Sequence, residues 1–204
     1  MSSPTSYTPP AVGEPLIQYV HVQKAFGSKV IYTDLHFDVL RGETLTILGG
    51  SGTGKSVMIK ILIGLLTADA GEVLFHNQDL TEITEDQFIQ VRQKISMVFQ
   101  LAALFDSLNV YENIAFPLRE HLRLTEQEIK ERVEAQLDLI NLPYSYKERY
   151  PSELSGGMKK LVSLARSVVM DPEVILYDEP TTGLDPESTV LVNKLIRKIQ
   201  KEPW

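Results

Sequence analysis

The run Gly49-Gly50-Ser51-Gly52-Thr53-Gly54-Lys55-Ser56 fits G-x-x-x-x-G-K-[ST], a loop whose backbone N–H groups wrap the phosphates of a nucleotide. Its glycines let the backbone turn around phosphate oxygens with no Cβ in the way. Lys55 brings a point charge to the β- and γ-phosphates, and the Ser56 hydroxyl can ligate Mg²⁺. A second small-residue turn, Leu154-Ser155-Gly156-Gly157, precedes an apolar helical stretch and is suited to present further N–H groups to phosphate. The acidic pair Asp178-Glu179 closes the apolar run Val174-Ile175-Leu176-Tyr177, at the strand end where α/β sheets place their chemistry. One phosphate cradle implies a nucleotide-binding protein. Two, far apart in the chain, suggest ATP clamped between two copies of it.

These groups need particular elements to hold them. Residues 16–26, with Ile17, Tyr19, Val20 and Val22, read as a strand. After the turn at Gly27-Ser28 come a second β segment and a third over 35–39. Residues 44–48 read as a short strand feeding the glycine loop, and 54–66 as the helix leaving it, which is the context that the loop requires. Residues 71–76 and a turn at Asn77-Gln78 suggest a further hairpin. Thr84-x-x-Gln87 and Thr125-x-x-Glu128 have capping-box spacing. They open helices before a buried-looking strand at 95–99 and within a helical region over 109–142, where Ile129, Val133, Leu137 and Ile140 share a face. After the second turn, Leu161, Leu164, Ala165, Val168 and Val169 repeat as a packed helix does. The apolar run 174–177 is expected to be a central parallel strand, and Pro186 to start a last helix reaching about Gln200.

Composition sets bounds on function. The chain has 204 residues, 43% of them hydrophobic, enough for one α/β domain with a core and a small subdomain. A net charge of −7 gives no support to nucleic-acid binding. There is no cysteine, which excludes disulfides and thiolate metal sites. His21, His36, His76 and His121 are scattered without metal-ligand spacing. No run reaches the roughly 18–20 apolar residues that a spanning helix needs, so membrane work would require a partner. Residues 1–15, rich in Ser, Thr and Pro, read as a disordered tail.

Asp178-Glu179 resembles the Walker B pair, in which Asp178 would hold Mg²⁺ and Glu179 would polarise the attacking water. With Leu154-Ser155-Gly156-Gly157-Met158 ahead of it and Gly183-Leu184-Asp185-Pro186 behind, the chain from about Leu16 onward resembles the ATP-binding-cassette (ABC) transporter ATPases. The resemblance implies a P-loop α/β fold with a RecA-like parallel-sheet core. An N-terminal antiparallel β subdomain and a helical insertion over about 86–168 complete it, within a domain spanning 16–204. It implies ATP and Mg²⁺ as ligands, and Phe26 stacked on adenine. Gln100 becomes the Q-loop glutamine that senses Mg²⁺ and the transmembrane partner, and Asp185 the D-loop aspartate. Two cassettes would pair head to tail, with Ser155, Gly156 and Gly157 of one closing over the nucleotide on Lys55 of the other.

The stretch Phe99-Gln100-Leu101-Ala102-Ala103-Leu104-Phe105-Asp106-Ser107-Leu108-Asn109-Val110, with Phe116-Pro117-Leu118-Arg119-Glu120-His121, is similar to the MlaF-like ATPases of bacterial phospholipid and Mce-type transport. That resemblance implies an integral membrane permease as partner, a periplasmic Mce-domain lipid carrier, and peripheral placement on the cytoplasmic face of the bacterial inner membrane.

Three departures accompany the resemblance. The family's H-loop histidine has no counterpart after His121 in a sequence that ends at Trp204, which leads to the expectation of a C-terminally incomplete cassette, of low stability in isolation and impaired in hydrolysis. Leu161 stands where the family usually has arginine, and Ala102 where a glycine is common; the second change is expected to be mild. The expected function is ATP binding and hydrolysis driving lipid movement through a separate permease. The alternative is a truncated cassette that binds ATP and partner but hydrolyses poorly. An ABC ATPase acting on ribosomes or DNA fits less well, because such proteins usually carry two cassettes or long coiled-coil insertions.

Overall fold

The computed structural model describes residues 13–201; the expected N-terminal tail lies mostly outside them. The chain divides into two compact units, residues 1–89 and 90–204.

In the first unit, β1 (Pro15–Phe26) and β2 (Lys29–Leu40) form a long antiparallel hairpin. The two β segments expected after Gly27-Ser28 are therefore one continuous strand. β3 (Ala70–Phe75) and the short β4 (Gln78–Asp79) complete a sheet of order β2-β1-β3-β4. The β3–β4 turn is His76-Asn77, both with positive φ (52° and 59°), one residue earlier than the sequence suggests. Helix α1 (Lys55–Leu62) supplies Met58, Ile61 and Leu62 to the buried set, and the sheet supplies Leu16, Ile17, Tyr19, Val22, Val73 and Phe75. The Tyr19 hydroxyl donates to Met58 O at 3.0 Å, and the Tyr19 ring stacks on Phe37 with centroids 4.7 Å apart. Burial pushes the Tyr19 phenol well above its ordinary pKa.

One expected element does not form. Residues 44–48 join neither sheet, and Leu45, Ile47 and Leu48 remain exposed. Their β-propensity expresses a fit to a pleated, half-buried surface with ladder partners on either side. Without a ladder the propensity alone does not make a strand.

In the second unit, β5 (Ile95–Val98) pairs in parallel with β6 (Val174–Tyr177), in the register Ile95↔Val174 to Val98↔Tyr177. β6, expected to be a central parallel strand, is parallel but lies in a sheet of two strands among the described residues and is half-buried throughout. The bulk of this unit is helical: α3 (Val110–His121), α4 (Glu126–Leu139), α5 (Gly156–Val168) and α6 (Pro186–Lys201). α2 (Glu85–Lys94) contains the boundary between the units. Ile114, Leu118, Val133, Leu137, Val162, Leu164, Val168, Val192 and Ile199 make one contiguous apolar core.

The expected caps form. Thr84 N donates to Gln87 Oε1 (2.8 Å) before α2, and Thr125 with Glu128 closes a full capping box on α4. The hydrogen bonds from Thr125 hold the Glu128 carboxyl below its ordinary pKa. Among the described residues no helix is long and apolar enough to cross a membrane.

Candidate nucleotide site

The glycine loop ends in a left-handed residue. Gly54, the N-cap of α1, has φ 102°, a conformation that costs an L-residue roughly 1–2 kcal/mol. A Cβ there would also lie 2.6 Å from the Tyr32 hydroxyl and 2.7 Å from Ile31 Cγ2. Tyr32 on β2 donates its hydroxyl to Gly54 O, so the antiparallel hairpin holds the loop from behind. Partial burial raises the Tyr32 pKa, keeping the phenol a donor. Sequence reasoning missed Tyr32, which belongs to no motif and meets the loop only through the fold.

Inside the loop, Lys55 Nζ donates to Gly49 O (2.8 Å) and Gly50 O (2.9 Å), and Thr53 Oγ1 donates to Gly50 O (2.9 Å). The ammonium thus folds back over the loop at the start of α1, whose N-terminus adds partial positive charge. Residues 49–53 are exposed. A cationic, glycine-built, solvent-open turn at a helix N-terminus fits a polyphosphate. Phe26 ends β1 and is 46% exposed, leaving its ring available for stacking. Lys24 Nζ stands 5.2 Å from that ring's centroid and bonds Asp69 Oδ1 at 2.6 Å. That contact is the main cause of the lowered Asp69 pKa.

The second unit holds the other candidates. Gln100, just past β5, is exposed. Asp178 N donates to Val98 O (3.1 Å), which extends the β5–β6 ladder and brings the half-buried Asp178 beside the strand that leads to Gln100. Glu179 is exposed, has φ 46°, and its Oε2 accepts from Thr182 Oγ1 at 3.1 Å. The hydroxyl of Ser56, the carboxamide of Gln100 and the carboxylate of Asp178 are hard oxygen donors. Each, the first in one unit and the other two in the second, is of the donor type that Mg²⁺ takes.

The small-residue turn is an N-cap. Ser155 Oγ accepts from Met158 N (3.2 Å), and α5 starts at Gly156. Gly157 is buried against α6: a Cβ on it would stand 2.3 Å from Ser188 Oγ and 2.8 Å from Ser188 Cβ. Ser188 in turn donates its hydroxyl (2.6 Å) and its N–H (2.9 Å) to the two carboxylate oxygens of Asp185. These bonds hold the Asp185 carboxyl below its ordinary range. The structure thus brings Gly157 and Asp185 together through one serine that sequence reasoning did not single out. Leu161, in place of the family's arginine, is half-buried and packs on the apolar core. Ala102 and Ala103 both have left-handed φ (60° and 50°), so an alanine where glycine is common carries backbone strain, a larger change than the sequence suggested.

Apolar side chains are exposed in the segments that follow Gln100. Leu101 is 88% exposed, and Phe105 and Phe116, also partly exposed, meet with ring centroids 4.7 Å apart. A groove of about 220 Å³ alongside is lined by Phe99, Pro117, His121, Arg166, Met170 and Pro172, among others.

Known proteins resemble the chain over most of its length. The chain is 43% identical over 186 residues to the probable ribonucleotide transport ATP-binding protein Mkl of Mycobacterium leprae, covering 91% of this chain and 53% of that protein. It is 36% identical to the intermembrane phospholipid transport system ATP-binding protein MlaF of Escherichia coli, covering 85% of this chain and 64% of that one. The chain therefore spans about half the length of the first curated relatives it matches. Among solved structures, the dimeric ATP-binding cassette MJ0796 in a post-hydrolysis state bound to ADP and Pi superposes with a TM-score of 0.81 at 28% identity, covering 91% of this chain and 83% of that one. The profile of the family described as ABC transporter matches residues 32–182. The chain belongs to the ABC transporter family, with the P-loop α/β fold of its ATP-binding cassettes.

Proposed function

We propose that this chain is the ATP-binding and hydrolysing part of an ABC transporter, acting as a head-to-tail pair of cassettes on a separate integral membrane permease. Its domain is taken as residues 16–204, with a helical subdomain over about 86–168. The observation that carries the reading is the loop at residues 49–56, in which Lys55 lies folded over exposed glycine backbone at the start of α1.

On this reading Phe26 stacks on the adenine, and Lys55 exchanges its carbonyl partners for the β- and γ-phosphates. Ser56, Asp178 and Gln100 are the residues that would hold Mg²⁺, which would neutralise charge on the phosphate oxygens. Glu179 orients a water and accepts its proton. Ser155, Gly156 and Gly157 of the second copy close over the same nucleotide, with Asp185 beside them. Electrostatic stabilisation by Mg²⁺, the Lys55 ammonium and the N–H groups of the second copy's Ser155-Gly156-Gly157 turn would supply most of the rate enhancement.

The transported molecule is proposed to be a phospholipid or related lipid. The names of the matched relatives include phospholipid, ribonucleotide and methionine transport. The segments 99–110 and 116–121 favour the first. Their exposed Leu101, Phe105 and Phe116 give the apolar surface on which a permease would dock, at the cytoplasmic face of a bacterial inner membrane. A periplasmic Mce-domain protein would then carry the lipid. Mg²⁺-dependent ATP turnover by this chain and its Glu179→Gln variant tests the enzymatic part. Turnover lost in the variant with ATP binding kept supports hydrolysis through Glu179. Binding without turnover in either protein would leave a nucleotide-binding element that does not hydrolyse by itself.

A further inference from the structure

The segment from Phe99 to Asn109, which carries Gln100, turns its carbonyls onto three side chains of its own unit. Lys160 on α5 donates from Nζ to Phe99 O (2.8 Å) and Gln100 O (2.7 Å). Arg166, further along α5, donates to Ala103 O (2.8 Å) and Ala102 O (3.4 Å). Asn113 on α3 donates from Nδ2 to Phe105 O (3.1 Å), Leu108 O (2.9 Å) and Asn109 O (3.0 Å), and accepts from Phe105 N (2.9 Å).

Lys160 is the informative member. It is 3% exposed, and both its partners are main-chain carbonyls. Burial lowers its pKa, as expected of an ammonium taken out of water. A long apolar side chain would fill this space at lower desolvation cost. What the ammonium adds is direction, since its two charge-assisted bonds fix two successive peptide carbonyls. Those carbonyls belong to Phe99 and Gln100. The helix that carries the ammonium begins at Gly156, one turn upstream.

We infer that Lys160 is a positioning residue for Gln100, locking the backbone of the loop that carries it to the helix that opens with Ser155-Gly156-Gly157, so that the two segments move as one body. The inference rests on the proposed role of Gln100 toward Mg²⁺. A shift of the apolar loop surface around Leu101 is then transmitted to the N-terminus of α5 through Nζ, without a rearrangement of the core.

The test compares wild type, Lys160→Met, Lys160→Gln, Lys160→Arg, Gln100→Ala and the Lys160→Met/Gln100→Ala pair in the full chain. The readouts are ATP affinity with and without Mg²⁺, and hydrogen exchange at the Ala102 and Ala103 amides without nucleotide. Circular dichroism selects the folded variants, Lys160→Gln serving if Lys160→Met does not fold. The expected result is a severalfold loss of the Mg²⁺-dependent part of ATP affinity in Lys160→Met, matching that of Gln100→Ala. The two losses should not add in the pair, Mg²⁺-free affinity should be unchanged, the loop amides should exchange faster, and Lys160→Arg should restore binding. A folded Lys160→Met or Lys160→Gln protein with wild-type Mg²⁺ dependence, or losses that add in the pair, would overturn the positioning role alone. Failure of wild type to bind ATP in Mg²⁺ would overturn the nucleotide reading, and this inference with it.

Discussion

Replacing Gly157 by alanine would put a methyl group 2.3 Å from Ser188 Oγ and 2.8 Å from Ser188 Cβ, with Ser188 Cα at 3.8 Å. Rotation about χ1 can move Ser188 Oγ away, but not Ser188 Cβ, which is fixed to the backbone of α6. Ser188 Oγ is also tied to Asp185 Oδ2 at 2.6 Å, so α6 must shift or the cap must break. Forced overpacking of this kind costs about 1–3 kcal/mol, and loss of a cap about 1 kcal/mol. The helix-propensity gain of alanine over glycine returns at most about 1 kcal/mol, and less in a first turn. Gly157→Ala should therefore destabilise the chain by about 1–3 kcal/mol. Ser188→Gly removes both clashing atoms, so adding it to Gly157→Ala should give back at least about 1 kcal/mol relative to the sum of the single changes. Urea unfolding of the four proteins, read by circular dichroism, measures the cycle. Additivity within about 0.5 kcal/mol would refute the claim that Ser188 fills the place of the missing Cβ.

Other perturbations follow from the same structure. Ala103→Gly, at an exposed residue with φ 50°, should stabilise the fold by about 1 kcal/mol by relieving left-handed strain, measured by the same unfolding. Asn113→Ala should cost on the order of 3 kcal/mol, because a fully buried carboxamide with four hydrogen bonds leaves three carbonyls and one N–H without it. Thermal denaturation reads that loss. The Asp185 carboxyl has its folded pKa below the ordinary 3.8, chiefly because the Ser188 hydroxyl donates to it. Its contribution to stability is thus fully present above that value and is lost as pH falls from 3.8 through the lowered folded value. Asp185→Asn should remove this part of the acid limb in a stability–pH profile while still capping α6.

Much of this molecule is legible in sequence because its determinants are local. Thr125 and Glu128 cap α4 at the spacing that marks them. The glycine loop precedes α1 as its motif requires, and the apolar repeat from Leu161 to Val169 lies on α5 and its C-cap, packed into the core. What escaped is set by contacts distant in sequence. Residues 44–48 have strand composition, yet a strand exists only where a ladder partner stands beside it, and none pairs with them among the described residues. Tyr32, Lys160, Asn113 and Ser188 look like ordinary strand or helix positions. Each becomes a constraint on a loop only when the fold brings Gly54, Gln100, Phe105 or Gly157 against it. The left-handed backbone at Ala102 and Ala103 is likewise invisible, since alanine gives no sign of positive φ.

The central claim is that residues 49–56 hold the phosphates of ATP, with Lys55 leaving Gly49 O and Gly50 O for the nucleotide. Equilibrium titration of the chain and of Lys55→Ala with ATP in Mg²⁺ tests it most directly. The account predicts saturable one-to-one binding by wild type, and loss of that binding in a Lys55→Ala protein whose unfolding midpoint is nearly unchanged, because Nζ bonds only exposed loop carbonyls. No binding by folded wild type, or equal binding by Lys55→Ala, would contradict it.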